Sequence, residues 1–214
     1  MAFLILTIAG ERLELSRFLP PSALASRIFA GIVALLLIGT VSGLSGVPGT
    51  GLLFPATLLA LAAWLLKQDI ARRTVHQQGL TRFIAVCLLS GYVWLGIGAL
   101  ILLSAGGTVP SSTAYGAGLH AILLGFVFAM VFGHAPIIFP AILGVRLPYH
   151  SLFYLPLAVL HLSLALRVAG TLLGAAPMRS AGGALNAAAL ALFVLGVVVS
   201  MARGASDSGR GTSR

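Results

Sequence analysis

Six stretches of this chain are apolar for about as long as a helix needs to cross a lipid bilayer, and nothing else in the sequence restricts its fold as severely. They run over residues 26–44, 51–67, 83–104, 113–142, 150–173 and 181–202. A helix needs about 20 apolar residues to span a hydrocarbon core about 30 Å thick. Only helices and closed barrels satisfy their backbone hydrogen bonds in lipid, and the short alternating segments of barrel strands are missing here. The chain is 8% charged, where a soluble domain averages about 25%. It cannot clothe a water-facing surface. The expectation is an all-α integral membrane protein, a bundle of about six transmembrane helices in a lipid bilayer.

The charges set its orientation. Arg12, Arg17 and Arg27 precede or open the first span. Lys67, Arg72, Arg73 and Arg82 occupy the second link, Arg146 the fourth, and Arg203, Arg210 and Arg214 the C-terminal tail. With six crossings all of these fall on one side, and Arg179 alone lies in a link on the other. The positive-inside rule then places both termini in the cytoplasm. The net charge of +9 is spread over links without interleaved aromatics, so a nucleic-acid partner is excluded. The single cysteine, Cys87, excludes a disulfide framework and a thiolate metal cluster. Three regions follow: residues 1–25, an apolar segment too short to cross that reads as the cytoplasmic end of a truncated helix or as an interfacial piece; residues 26–203, the six-helix domain; and residues 204–214, a disordered polar tail.

The histidines carry the functional question. His76 sits in the polar second link; the other four lie in spans four and five. At 100° per residue, His120 and His134 fall within about 40° of one another and about 21 Å apart along their helix. His150 and His161 fall within about 20° and about 16 Å apart. The link "GVRLPYH" is short, so the two helices read as antiparallel neighbours with His134 and His161 at similar depth. Intramembrane ionisable residues are costly and usually functional, and neutral imidazole ligates haem iron and copper. Met130, one turn before His134, is a further copper-ligand candidate, although a methionine in such a span is more often core. Ala117, Ala121, Gly125, Ala129 and Gly133 form a small-residue stripe whose common meaning is helix packing. Arg167 lies inside span five, while Glu11, Glu14, Asp69 and Asp207 all fall outside the spans. A cofactor, a substrate or another subunit would have to supply its counter-charge.

That placement of the acids speaks against a proton-coupled transporter or pump, which usually carries an embedded carboxylate. His161 and Ser163 are two residues apart and cannot face each other on one helix, and no H-E-x-x-H motif occurs.

"GLHAILLGFVFAMVFGHAPIIFPAIL" and "LPYHSLFYLPLAVLHLSLALRV" resemble the NnrS-like family of bacterial membrane haem–copper proteins, linked to nitric oxide metabolism and distantly similar to subunit I of haem–copper oxidases. The likeness covers roughly residues 113–170. It implies that His120, His134 and His161 are haem or copper ligands. Members of that family have about twice as many helices, so the resemblance implies a reduced, haem-only protein or an accessory subunit. The leading expectation is a haem-b-binding membrane protein in electron transfer or in nitric oxide and respiratory metabolism. His134 and His161 would be its axial pair, His120 a second site, His150 an outer candidate, and Arg167 the partner of a propionate. The alternatives are an accessory subunit packed against other membrane subunits or against copies of itself, and a transporter of a small or anionic solute with Arg167 in its path.

Overall fold

The computed structural model describes residues 1–15, 23–45, 50–108, 112–144 and 147–211. Among them the chain is helical, with no strand. The helices are α1 (Ala2–Leu15), α2 (Ala23–Leu44), α3 (Leu53–Gln68), α4 (Ala71–Thr74), α5 (Gly79–Ser104), α6 (Thr113–His120), α7 (Phe128–Leu143), α8 (Tyr154–Leu172) and α9 (Ala176–Gly211). A π-helical segment, Ala121–Val127, joins α6 to α7 in one rod. Five helical stretches are long and apolar enough to cross a membrane: Ala23–Gly43, Gly79–Ser104, Thr113–Leu143, Ser151–Leu172 and Ala176–Arg203. The second expected span is α3, which at 16 residues reaches only about 24 Å. Arg17, Arg146 and Arg214 lie outside the described residues, as does the end of the expected tail, whose backbone is helical through Gly211.

α5 is the centre of the bundle. It packs against α3 and α4 on one side and against the α6–π–α7 rod on another. Glycines let these backbones approach. A Cβ at Gly98 would lie 3.1 Å from the Gly118 carbonyl oxygen, and one at Gly91 would lie 3.3 Å from that of Phe126. The expected small-residue stripe shares in this: Gly125 faces Trp94, Ala129 faces Gly91, and Gly133 faces Cys87. Without a hydrophobic drive between helices in lipid, such close packing is a main source of association. α8 and α9 form a second tight hairpin. It turns at Gly174, whose φ of +69° only glycine adopts at low cost, and Ala175 N–H donates back to the Gly170 carbonyl at 2.8 Å. At one end of the bundle Phe83, Phe132, Phe153 and Phe193 interlock, with Phe132 and Phe193 stacked at 3.8 Å.

α1 docks against this bundle. Ile5 and Ala9 are fully buried with Leu58, Leu61 and Leu65 of α3 in one core cluster. Arg12 falls on the same helical face, at i+7 from Ile5, and so enters the interior with them.

Candidate functional site

Arg12 is 7% exposed and Asp69 6%, the two charged side chains among the buried polar residues, which also include Thr57, Ser163 and Asn186. Arg12 Nη2 lies 2.8 Å from His134 Nε2. A guanidinium has no acceptor, so His134 Nε2 accepts and the ring proton sits on Nδ1, which donates to the Met130 carbonyl at 2.6 Å. Asp69 caps the end of α3, and its Oδ1 accepts from Ala71 N–H at 2.7 Å. Its Oδ2 accepts the hydroxyl proton of the fully buried Tyr92 at 2.5 Å. Both Arg12 and Asp69 lie within electrostatic reach of Tyr92 and of His134. The shortness of α3 causes this placement. Tyr92 is thirteen residues into α5, about 20 Å from its start and half-way along it. A helix of 16 residues ends at that level, so its capping carboxylate arrives in the middle of the bundle.

A second polar chain lies on the other side of α5. Trp94 Nε1–H donates to His161 Nδ1 at 3.0 Å. The indole is only a donor, so His161 carries its proton on Nε2 and donates to Ser90 Oγ at 2.9 Å. Ser90 in turn donates to the Cys87 carbonyl at 3.1 Å. Ser90 and Trp94 share a face of α5, and Tyr92 points about 160–200° away from them. α5 therefore separates the two clusters.

The expected ligands are thus dispersed. Gly118 and Gly133 both pack on α5. His120 follows the first by two residues and His134 the second by one, so their directions differ by about 100° rather than 40°. The π segment between them, with its wider turn, causes the change of face. His120 Nδ1 donates to the Gly116 carbonyl at 2.6 Å. His150 is exposed and its Nδ1 accepts from Leu152 N–H at 3.2 Å, capping the turn before α8. Among the described residues no three of His, Cys, Asp and Glu gather as a metal site. A haem held between His134 and His161 needs a free nitrogen on each ring. One is occupied by Arg12 and the other ring is engaged at both nitrogens, so these residues as placed do not fit that pair. Met130 packs against Gly91.

On the α8–α9 seam, Ser163 Oγ donates to Asn186 Oδ1 at 2.5 Å, and Arg167 lies over Gly182 and Gly183.

One family matches the chain, a domain of unknown function designated DUF8744, over residues 1–202. The chain belongs to the DUF8744 family. The match runs unbroken from α1 to the end of the apolar part of α9, so both polar clusters and the α8–α9 seam lie within the family's domain. No curated protein and no solved structure matches the chain.

Sequence reasoning singled out His134 and His161 but passed over Arg12, Asp69, Tyr92, Ser90, Trp94 and Asn186. Two signals were available. Ile5, Ala9 and Arg12 recur at helical spacing, which turns the arginine inward with the apolar pair. The second apolar run is also the shortest of the six, so the acid that follows it stops part-way along the longer helices.

Proposed function

We propose that this DUF8744 protein is an integral protein of a bacterial cytoplasmic membrane, crossed six times with both termini inside, and that it moves a small solute in a proton-linked manner. The observation that supports this reading is the pairing of buried Arg12 with His134 beside buried Asp69 with Tyr92. Burying either charge costs several kcal/mol before compensation, on the order of the stability of a whole domain. Embedded Asp and His side chains mark proton relays in pumps and transporters. The hydrogen bonds make the cluster responsive to protons. A proton arriving at His134 Nε2 removes the only lone pair facing Arg12 and sets two cations against each other. A proton on Asp69 reverses the donor demand at Tyr92. Either event loosens α1 or the α3 end from the rod. The apolar faces of α2 and α9, the least buried of the long helices, meet lipid. The test is proton flux into liposomes under an imposed potassium diffusion potential, read by an internal pH dye. Flux above that of empty vesicles, lost in Asp69→Asn and His134→Gln, is expected. Flux no greater than in empty vesicles removes the reading.

A second reading keeps the resemblance to the NnrS-like family: a haem-b protein in electron transfer or nitric oxide and respiratory metabolism. His120 favours it. Its Nδ1–H is held by a carbonyl, and its Nε2 has no hydrogen bond among the described residues. That is how a ligating imidazole is oriented. A reduced-minus-oxidised spectrum of protein made with haem supplied decides it: a b-type band lost in His120→Ala is required, and a flat spectrum ends it.

A further inference from the structure

The seam between α8 and α9 holds donors that no acceptor among the described residues receives. The helices run antiparallel in a constant register: Ser163 meets Asn186, Arg167 meets Gly182 and Gly183, and Gly170 meets Met178 and Arg179. Asn186 is 3% exposed. Its Oδ1 is used by Ser163, and its Nδ2 is buried without a partner. One turn away, the Arg167 side chain lies along the glycine pair: a Cβ at Gly183 would be 2.8 Å from its Nη1. Its guanidinium makes no hydrogen bond among the described residues. Arg179 stands four residues before Gly183, on the same face of α9, and is exposed at the rim. Gly182 is required here for space, since a Cβ there would lie 2.6 Å from the Arg167 backbone nitrogen, while one at Gly183 would displace the guanidinium.

Two cations and an amide donor therefore line one stretch of the seam, and among the described side chains no carboxylate pairs with them. Of the four acidic residues, Glu11, Glu14 and Asp69 belong to α1 and the end of α3, and Asp207 to the far end of α9. An unpartnered buried amide costs about 1–3 kcal/mol, and neighbouring cations repel unless an anion lies between them. We propose that Arg167, Asn186 and Arg179 form an anion site in the α8–α9 seam, taking a phosphate oxyanion. The planar guanidinium fork matches the oxygens of phosphate, and the amide N–H reaches a third acceptor. Arg167 lies about 8 Å from the end of α8, the depth at which a phospholipid headgroup or a dissolved phosphate can meet it. This site is separate from the Arg12–His134 cluster, and its fate does not depend on transport.

The experiment uses the whole protein, delipidated in a neutral detergent. Dioleoylphosphatidylglycerol and inorganic phosphate are titrated separately, with native mass spectrometry counting bound adducts and thermal unfolding reading the stabilisation. Saturable binding is expected, weakened roughly tenfold in Arg167→Gln by loss of charge-assisted hydrogen bonds. Gly183→Val should weaken it similarly, and Arg167→Lys less. Arg27→Gln, an exposed charge on α2, should bind like wild type. Circular dichroism and size-exclusion profiles show that each variant is folded. Binding of the lipid alone assigns the site to a headgroup, and binding of inorganic phosphate alone assigns it to a soluble anion. If neither binds, or if Arg167→Gln and Arg27→Gln lose the same affinity, the site does not exist.

Discussion

At the scale of single residues, hydrogen-bond direction decides most of what this protein can do. Tyr92 O–H supplies one of the two donors that hold the buried Asp69 carboxylate. Removing it in Tyr92→Phe should cost about 1–3 kcal/mol, the usual loss for an abandoned buried acceptor. The measurement is the thermal unfolding midpoint in detergent, and an unchanged midpoint would show that Asp69 does not depend on Tyr92. His161→Ala should cost a similar amount, about 1–3 kcal/mol, because it strands the indole N–H of Trp94 and the Ser90 hydroxyl together. His161→Gln, which restores an acceptor and a donor, should recover part of that loss. Were His161 a metal ligand instead of a link between α8 and α5, Gln would recover none of it. The tautomers follow from which neighbours can only donate, information that a list of histidines does not carry.

At the scale of elements, the π segment and the short α3 do what periodicity could not anticipate. A regular helix from Thr113 to Leu143 would align His120 with His134, as the sequence spacing implies. Trp94 instead seats its ring on Gly125 within the π turn, and the wider turn rotates the downstream face. A Cβ at Gly125 would overlap the Trp94 side chain. Gly125→Val should therefore destabilise the bundle by about 1–3 kcal/mol or more, as overpacking does. Trp94→Ala alone should also cost stability, but the double variant should cost less than the sum. Thermal midpoints of the four proteins in that cycle measure the coupling, and strict additivity would mean that the two residues do not share this contact. The 14-residue α1 is legible in part. Its apolar run and its failure to span are plain in the sequence. That Ile5, Ala9 and Arg12 share an inward face follows from their spacing, but what Arg12 meets does not.

At the scale of the whole molecule, orientation and crossing number belong together. With Cys87 replaced by alanine, Gln77→Cys in the link after α4 should react with a membrane-impermeant maleimide only when the cytoplasmic face is open. Ser104→Cys, at the far end of α5, should react from the outside. Labelling of both from one side would reverse the assignment of α5 as a crossing helix. Long apolar runs with few charges already dictate helices of a length and composition that suit a membrane. The same runs place most of the long helices to within a few residues, although α9 extends from Ala176 through Gly211, well past the expected 181–202, and the asymmetry of basic residues proposes the orientation. Which polar groups meet emerges from the packing of the helices. Arg12, Asp69, Tyr92 and His134 come from four separate stretches of chain, and no local pattern specifies a contact between residues 12 and 134. The physical reason is that helix formation is governed by neighbours three and four positions away, whereas a buried polar cluster is governed by how helix ends, a π turn and glycine-sized gaps set the depth and facing of distant side chains.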